Sequence, residues 1–198
     1  LALIRKLTQA AEPLAKSIGV ELAKFEKFES FGVDIILKDG EFIELSRDLT
    51  VQVFETPGHT RDCLSYFIPQ KKVLLCSEAA GIPDATGYIV SEALVDYDQY
   101  YESMSRLSKV AYEVLCLGHR QALNGQDAKN YFPKSMAHCR DFLNLVETSL
   151  IEEGGDVPKV IARIKAVEYD PVPEPKQIEP AYLLNLEAKV KAIKKRLG

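Results

Sequence analysis

The chain has 198 residues, 46% hydrophobic and 27% charged, with a formal net charge of −4. That length suits one domain, or one domain with an appendage. The acidic balance argues against a general nucleic-acid binder, which needs a basic face to neutralise phosphates, and no apolar run approaches the roughly 18 residues of a membrane span. Leu1 is not an initiator Met and residues 1–17 lack a signal-peptide cleavage pattern, so the sequence reads as beginning inside a longer gene product.

In chain order, Leu3, Ile4, Leu7, Ala11, Leu14 and Ile18 have near-helical spacing, interrupted by Pro13. Phe25, Phe28 and Phe31 mark a connector pinned by aromatic burial. Val33–Leu37 and Phe42–Leu45, flanking Asp39-Gly40, read as a hairpin, because that dipeptide accepts the positive backbone angles of a tight turn. A strand at Leu49–Glu55 follows, alternating Val51, Val53 and Glu55 with Gln52, Phe54 and Thr56. Two more strands, Leu64–Ile68 and Val73–Cys76, give a mostly antiparallel sheet.

Thr56-Pro-Gly-His-Thr60 joins two of these strands. Pro57 removes a ladder donor and Gly58 permits a backbone angle other residues resist. His59 is thereby aimed by a rigid element, as a metal ligand requires, although a turn histidine facing solvent fits the same residues. Val73–Cys76 ends in Ser77-Glu78-Ala-Ala-Gly81, and Val114–Leu117 ends in Gly118-His119. Three strands thus each end in a potential ligand, His59, Glu78 and His119, the arrangement a preformed metal site needs.

Ile82–Val95 reads as a loop at the ligand end of the strands, with Tyr88 either lining an entrance or packed. Asp96 or Asp98 caps a helix to Ala111, and a strand Val114–Leu117 follows. Asn124-Gly125 is a turn signal, and Gln126–Ile151 is helical with a break near Pro133. His138 sits on a face of that helix. Asp156 caps a helix whose buried face is Val160, Ile161, Ile164 and Val167. Asp170–Pro180 has four prolines in eleven residues and must be extended. Ala181–Leu197 is a helix with a basic C-terminal half that favours its dipole; it packs on the domain or on a partner chain, with a membrane-surface role the alternative. The domain division is 1–168, a connector 169–180 and a terminal helix 181–198.

Cys63, Cys76, Cys116 and Cys139 form no Cys-x-x-Cys pair. They read as free thiols in a reducing, cytoplasmic setting, although Cys63 and Cys116 lie close enough in sequence to His59 and His119 to raise the question of thiolate ligation.

Taken in order, Thr56-Pro-Gly-His-Thr60 with Asp62, Leu74-Leu-Cys-Ser-Glu-Ala-Ala-Gly81 and Leu117-Gly-His119 resemble the second part of a metallo-beta-lactamase-fold hydrolase. The similarity runs from about Phe31 to His119. The family's His-x-His-x-Asp-His motif, which supplies its first metal position and holds the attacking water, is absent, and Ser77-Glu78 stands where the family usually has Gly-Asp.

The resemblance implies an α/β (α+β) fold, a partial αββα metallo-beta-lactamase sandwich with a helical C-terminal extension. It implies a metal-dependent hydrolase that opens an ester, thioester, lactone or similar bond in a small molecule through metal-bound hydroxide. The implied ligands are His59, Glu78 and His119, holding a divalent metal, zinc or iron; neither nucleic acid nor membrane is implied as a partner. The alternative is a catalytically inactive, metal-free remnant acting as an interaction module. Because the missing part supplies much of one sheet, apolar strand surface or an open edge is expected, covered where the chain forms a homo-oligomer.

Overall fold

The computed structural model describes residues 32–119 and 121–198, together with Glu12, Ala15, Lys16 and Gly19. Apart from Glu12, Ala15 and Lys16, which are helical, the expected first helix lies outside the described residues, as do the phenylalanine connector and Arg120. Among residues 32–198 the described strands and α-helices are, in order, β1 (Phe42–Ser46), β2 (Leu49–Glu55), β3 (Leu64–Ile68), β4 (Val73–Leu75), β5 (Ile82–Pro83), β6 (Ile89–Val90), α1 (Tyr97–Leu107), β7 (Val114–Cys116), β8 (Ala122–Asn124), α2 (Gly125–Glu152), α3 (Val157–Glu168) and α4 (Glu179–Arg196). Six strands form one sheet in the order β1-β2-β3-β4-β7-β8, and β5 and β6 form a separate two-stranded ribbon. All neighbours in the large sheet are antiparallel except β4 and β7. That parallel pair needs a crossover, and the chain between them contains α1.

Register divides the sheet into two faces. Gln52, Phe67, Leu74, Leu115 and Leu123 stand opposite one another in one row. Leu74 and Leu115 are fully buried there in a core shared with α1, α2, α3 and α4. Val53, Tyr66, Leu75, Cys116 and Ala122 form the row on the other face. Among the described residues, the sheet carries a helical layer on the face of Leu74 and Leu115. Apolar side chains are exposed on the β1 edge (Phe42, Leu45) and on the segment before it (Val33, Ile35, Ile36).

Three local expectations need correction. Val33–Leu37 forms no strand. The hairpin is β1 with β2, turning at Arg47-Asp48, while Asp39-Gly40 is tied to β2: the Gly40 amide donates to the Val53 carbonyl at 2.9 Å and the Val53 amide to the Glu41 carbonyl at 2.8 Å. Residues 122–124 form a strand pairing with β7, and Gly125 begins α2 without a separate turn. Finally, α2 runs unbroken through Pro133. Tyr131 and Phe132 on one side and Ser135, Cys139, Phe142 and Val146 on the other are buried, and that packing outweighs the roughly 3 kcal/mol an interior proline costs a helix.

The expected caps are present: the Asp96 carboxylate accepts from the Gln99 amide and Asp156 from the Lys159 amide. On α3, Val160 and Ile164 are buried while Val167 is exposed, so the buried stripe is narrower than its sequence spacing indicates. The terminal helix α4 packs back onto the domain through Tyr182, Leu186, Lys189, Val190 and Ile193. Arg196 pairs with Asp98 on α1 and Glu147 on α2. Among the described residues, no helix is long and apolar enough to cross a membrane.

Candidate metal centre

The turn after β2 is clamped from several directions. Thr56 is buried, its amide donates to the Cys63 carbonyl at 2.8 Å, and its hydroxyl lies 3.0 Å from that of Ser65. Ser103 of α1 donates to the Pro57 carbonyl at 2.8 Å. Gly58 has φ +127°, and its carbonyl accepts from the amides of Val95 and Asp96 at the start of α1. The half-buried His59 that follows is oriented through Nδ1, which lies 2.9 Å from the Glu92 carbonyl oxygen. A carbonyl can only accept, so Nδ1 carries the proton and Nε2 presents its lone pair.

Glu78 follows β4 on a turn of 3-10 helix, Ser77–Ala80. The entry bend puts the non-glycine residue Ser77 at φ +47°. Gly118 locks this bend from the neighbouring strand: its amide donates to the Ser77 carbonyl at 3.0 Å, and a Cβ at position 118 would sit 2.8 Å from the Ser77 carbonyl carbon. That contact brings His119 beside Glu78, with Nε2 2.5 Å from Oε1. The other oxygen, Glu78 Oε2, is buried without a hydrogen-bond partner.

His59, Glu78 and His119 line one cavity of about 540 Å³. Glu78 and His119 touch directly, whereas His59 is engaged with Glu92. Among the described residues, no group of three or more His, Cys, Asp or Glu side chains is drawn together tightly enough to hold an ion. Cys63, Cys116 and Asp62 lie instead around a hollow on the other face of the sheet, which His59 and Glu78 also border. His138 packs away from the three: it stacks on Tyr88 with ring centroids 4.5 Å apart, and its Nδ1 accepts from the Ile89 amide at 2.9 Å.

Several residues at this site escaped the sequence reading. Ile82–Val95 is not a plain loop; it folds as the β5–β6 ribbon and places the buried Glu92 behind His59. The far wall comes from the C-terminal third of the chain, including Tyr169, Lys176 and Gln177 of the proline-rich segment and Asn185 of α4. Lys189 lies behind that wall with 1% of its side chain exposed. The readable signal was its place in the helix: it falls in the apolar stripe with Leu186, Val190 and Ile193. Burial pushes the Glu92 carboxyl above its ordinary range, and the Lys189 ammonium opposes that rise.

No family model matches the chain. Among solved structures it is similar to a metallo-beta-lactamase family protein from Thermus thermophilus, with TM-score 0.58 and 17% identity over 96% of this chain and 59% of that one. It is also similar to a stereoselective inverting sec-alkylsulfatase from Pseudomonas sp., with TM-score 0.51 and 17% identity over 81% of this chain and 26% of that one. The chain therefore has the metallo-beta-lactamase fold, in part. It spans less than two thirds of the length of either protein.

Proposed function

We propose that this chain carries the second-half ligands of a metal-dependent hydrolase, with His59, Glu78 and His119 holding one divalent ion, zinc or iron. The observation that carries this reading is Glu78 Oε2, a buried acceptor without a partner on a carboxylate that touches His119, in a cavity that His59 also lines. Leaving such an atom unpaired costs about 1–3 kcal/mol, which a cation would recover. Two neutral nitrogens and a carboxylate suit zinc or iron and leave a position open for a reactant. Loading requires the His119 Nε2 contact with Glu78 to give way, so that both groups face the ion.

A divalent ion held by these residues would supply the positive charge that acidifies water and polarises an ester, thioester, lactone or related group. The protein's own contribution is positioning. The Glu92 carbonyl holds the His59 ring in one tautomer, and the Gly118–Ser77 contact fixes the approach of His119 to Glu78. Ile82, Pro83, Val90 and Leu94 give the cavity an apolar side that excludes water, and Lys176, Gln177 and Asn185 offer polar contacts to the body of a substrate. A volume of about 540 Å³ suits a small molecule.

Metal analysis of the purified protein after dialysis against zinc or iron tests this reading. About one equivalent in the parent, lost in His59→Ala, His119→Ala and Glu78→Gln, supports the site. No retained metal in the parent favours a second reading, a metal-free interaction module, which draws support from the exposed apolar edge at Phe42 and Leu45.

A further inference from the structure

The C-terminal helix reaches the candidate site through a buried polar relay. Lys189 of α4 lies between two carboxylates, its Nζ 4.0 Å from Glu92 Oε1 and 3.8 Å from Glu168 Oε2. The ammonium also lies over the Phe142 ring, 4.8 Å from its centroid. One turn earlier on the same helix, Asn185 Nδ2 donates to Glu92 Oε2 at 3.3 Å. Glu168 is held in turn by the Tyr182 hydroxyl, also from α4, at 2.9 Å. Both Glu92 oxygens are thus engaged by the last helix of the chain.

The main chain of Glu92 faces the other way. Its carbonyl takes the His59 Nδ1 proton at 2.9 Å, and its amide donates to the Tyr100 hydroxyl at 3.3 Å. The same hydroxyl donates to the Glu78 carbonyl at 3.1 Å. One residue therefore has its side chain fixed by α4 and its backbone fixing His59, and Tyr100 carries the link on to Glu78. Glu92 follows the short two-residue strand β6; its carbonyl also accepts from the Leu94 amide at 2.9 Å, a local turn contact that moves with Glu92, so the side-chain anchors are what tie this segment to α4.

We propose that Lys189 and Asn185 are positioning residues for the candidate site: by holding the Glu92 carboxylate they hold the Glu92 carbonyl that sets the His59 tautomer, so the terminal helix is a working part of the site. A buried lysine between two glutamates is a costly device unless its geometry is used, because each ion loses its hydration. Hydrogen-bond partners that orient a ligating histidine typically change metal affinity by about 10–100-fold when removed.

The consequence for metal binding rests on the reading of His59 as a ligand; the tautomer does not. The test therefore reads the two separately in the full chain, using Lys189→Met and Asn185→Ala. Long-range proton–nitrogen NMR of the metal-free protein reports which His59 nitrogen is protonated, and zinc titration reports affinity. The parent is expected to show the Nδ1–H form, and each variant a mixture that includes Nε2–H, with zinc affinity lower by about tenfold or more. A parent that binds no zinc while the variants still shift the tautomer contradicts the metal reading and supports the relay. An unchanged His59 tautomer in folded Lys189→Met and Asn185→Ala overturns the proposal. Asn185 is only half-buried, so its variant gives the answer where the loss of Lys189 prevents folding.

Discussion

Gly58 and Tyr100 are in backbone contact that leaves no room for a side chain at position 58: a Cβ there would fall 2.3 Å from the Tyr100 Cα and 2.4 Å from its amide nitrogen. The glycine thus serves two ends. It supplies φ +127° for the turn, and it lets that turn sit directly on the first turn of α1. Tyr100, fully buried, then spans from the same helix to the main chains of Glu92 and Glu78. His59 and Glu78 are placed relative to each other through one tyrosine.

Gly58→Ala should therefore destabilise the fold by about 3 kcal/mol, combining backbone strain with a clash against main chain that cannot rotate away. Denaturant unfolding measures this, and a cost under about 1 kcal/mol would be inconsistent with the packing.

Ser77 is the converse case. It adopts φ +47° without being glycine and it is exposed. Ser77→Gly should relieve the left-handed strain and stabilise by about 0.5–1 kcal/mol, net of the extra freedom glycine gains when unfolded. Ser77→Val should destabilise, because a β-branched residue resists that angle. Thermal melts of the two variants should move in opposite directions.

His138 gives the fold a pH dependence of defined sign. Burial, with the nearby Lys134 ammonium, lowers its pKa from the ordinary 6.5. The unfolded chain then binds more protons than the native state in the window below 6.5, so stability there rises with pH and is lost as pH falls from 6.5 through the folded value. Protonation would also remove the acceptor that Nδ1 offers to the Ile89 amide. His138→Gln keeps an acceptor without the titration, and should flatten the stability profile between about pH 5 and 7. An identical slope in the two proteins would place the titrating group elsewhere.

The thiols should differ sharply in reactivity. Burial pushes the Cys76 thiol up to about 12, and the residue is fully buried with Sγ 3.2 Å from the Cys116 carbonyl. Cys116 is half-buried and borders the hollow on the far face of the sheet. A thiol-alkylating reagent at pH 8 should label Cys116 in the native protein and reach Cys76 only on unfolding. Mass spectrometry of the digested product distinguishes the two.

What could be read from the sequence was local in origin. Thr56-Pro-Gly-His, the caps at Asp96 and Asp156, and Gly118-His119 each carry their structural reason within a few residues. The relations that failed to show were long-range. The place of Lys189 in the apolar stripe of its helix signals burial, but nothing near it or near Glu92 announces that the two meet until the elements are packed. Asp39-Gly40 carries a hairpin signature, yet it is taken by β2 and by the Arg106 guanidinium, whose Nη2 lies 2.8 Å from Asp39 Oδ1. Pro133 looked like a helix end because the cost of an interior proline is local, whereas the packing that overrides it comes from the rest of the core.

The most direct measurement of the central claim, that His59, Glu78 and His119 share one ion, is a crystal of the zinc-soaked protein examined by anomalous diffraction at the zinc edge. The expected result is a single strong peak within coordination distance of all three side chains, with His119 turned off its direct contact with Glu78. A peak at other residues, or none at saturating zinc, would contradict the site and leave a sheet-and-helix scaffold without its proposed chemistry.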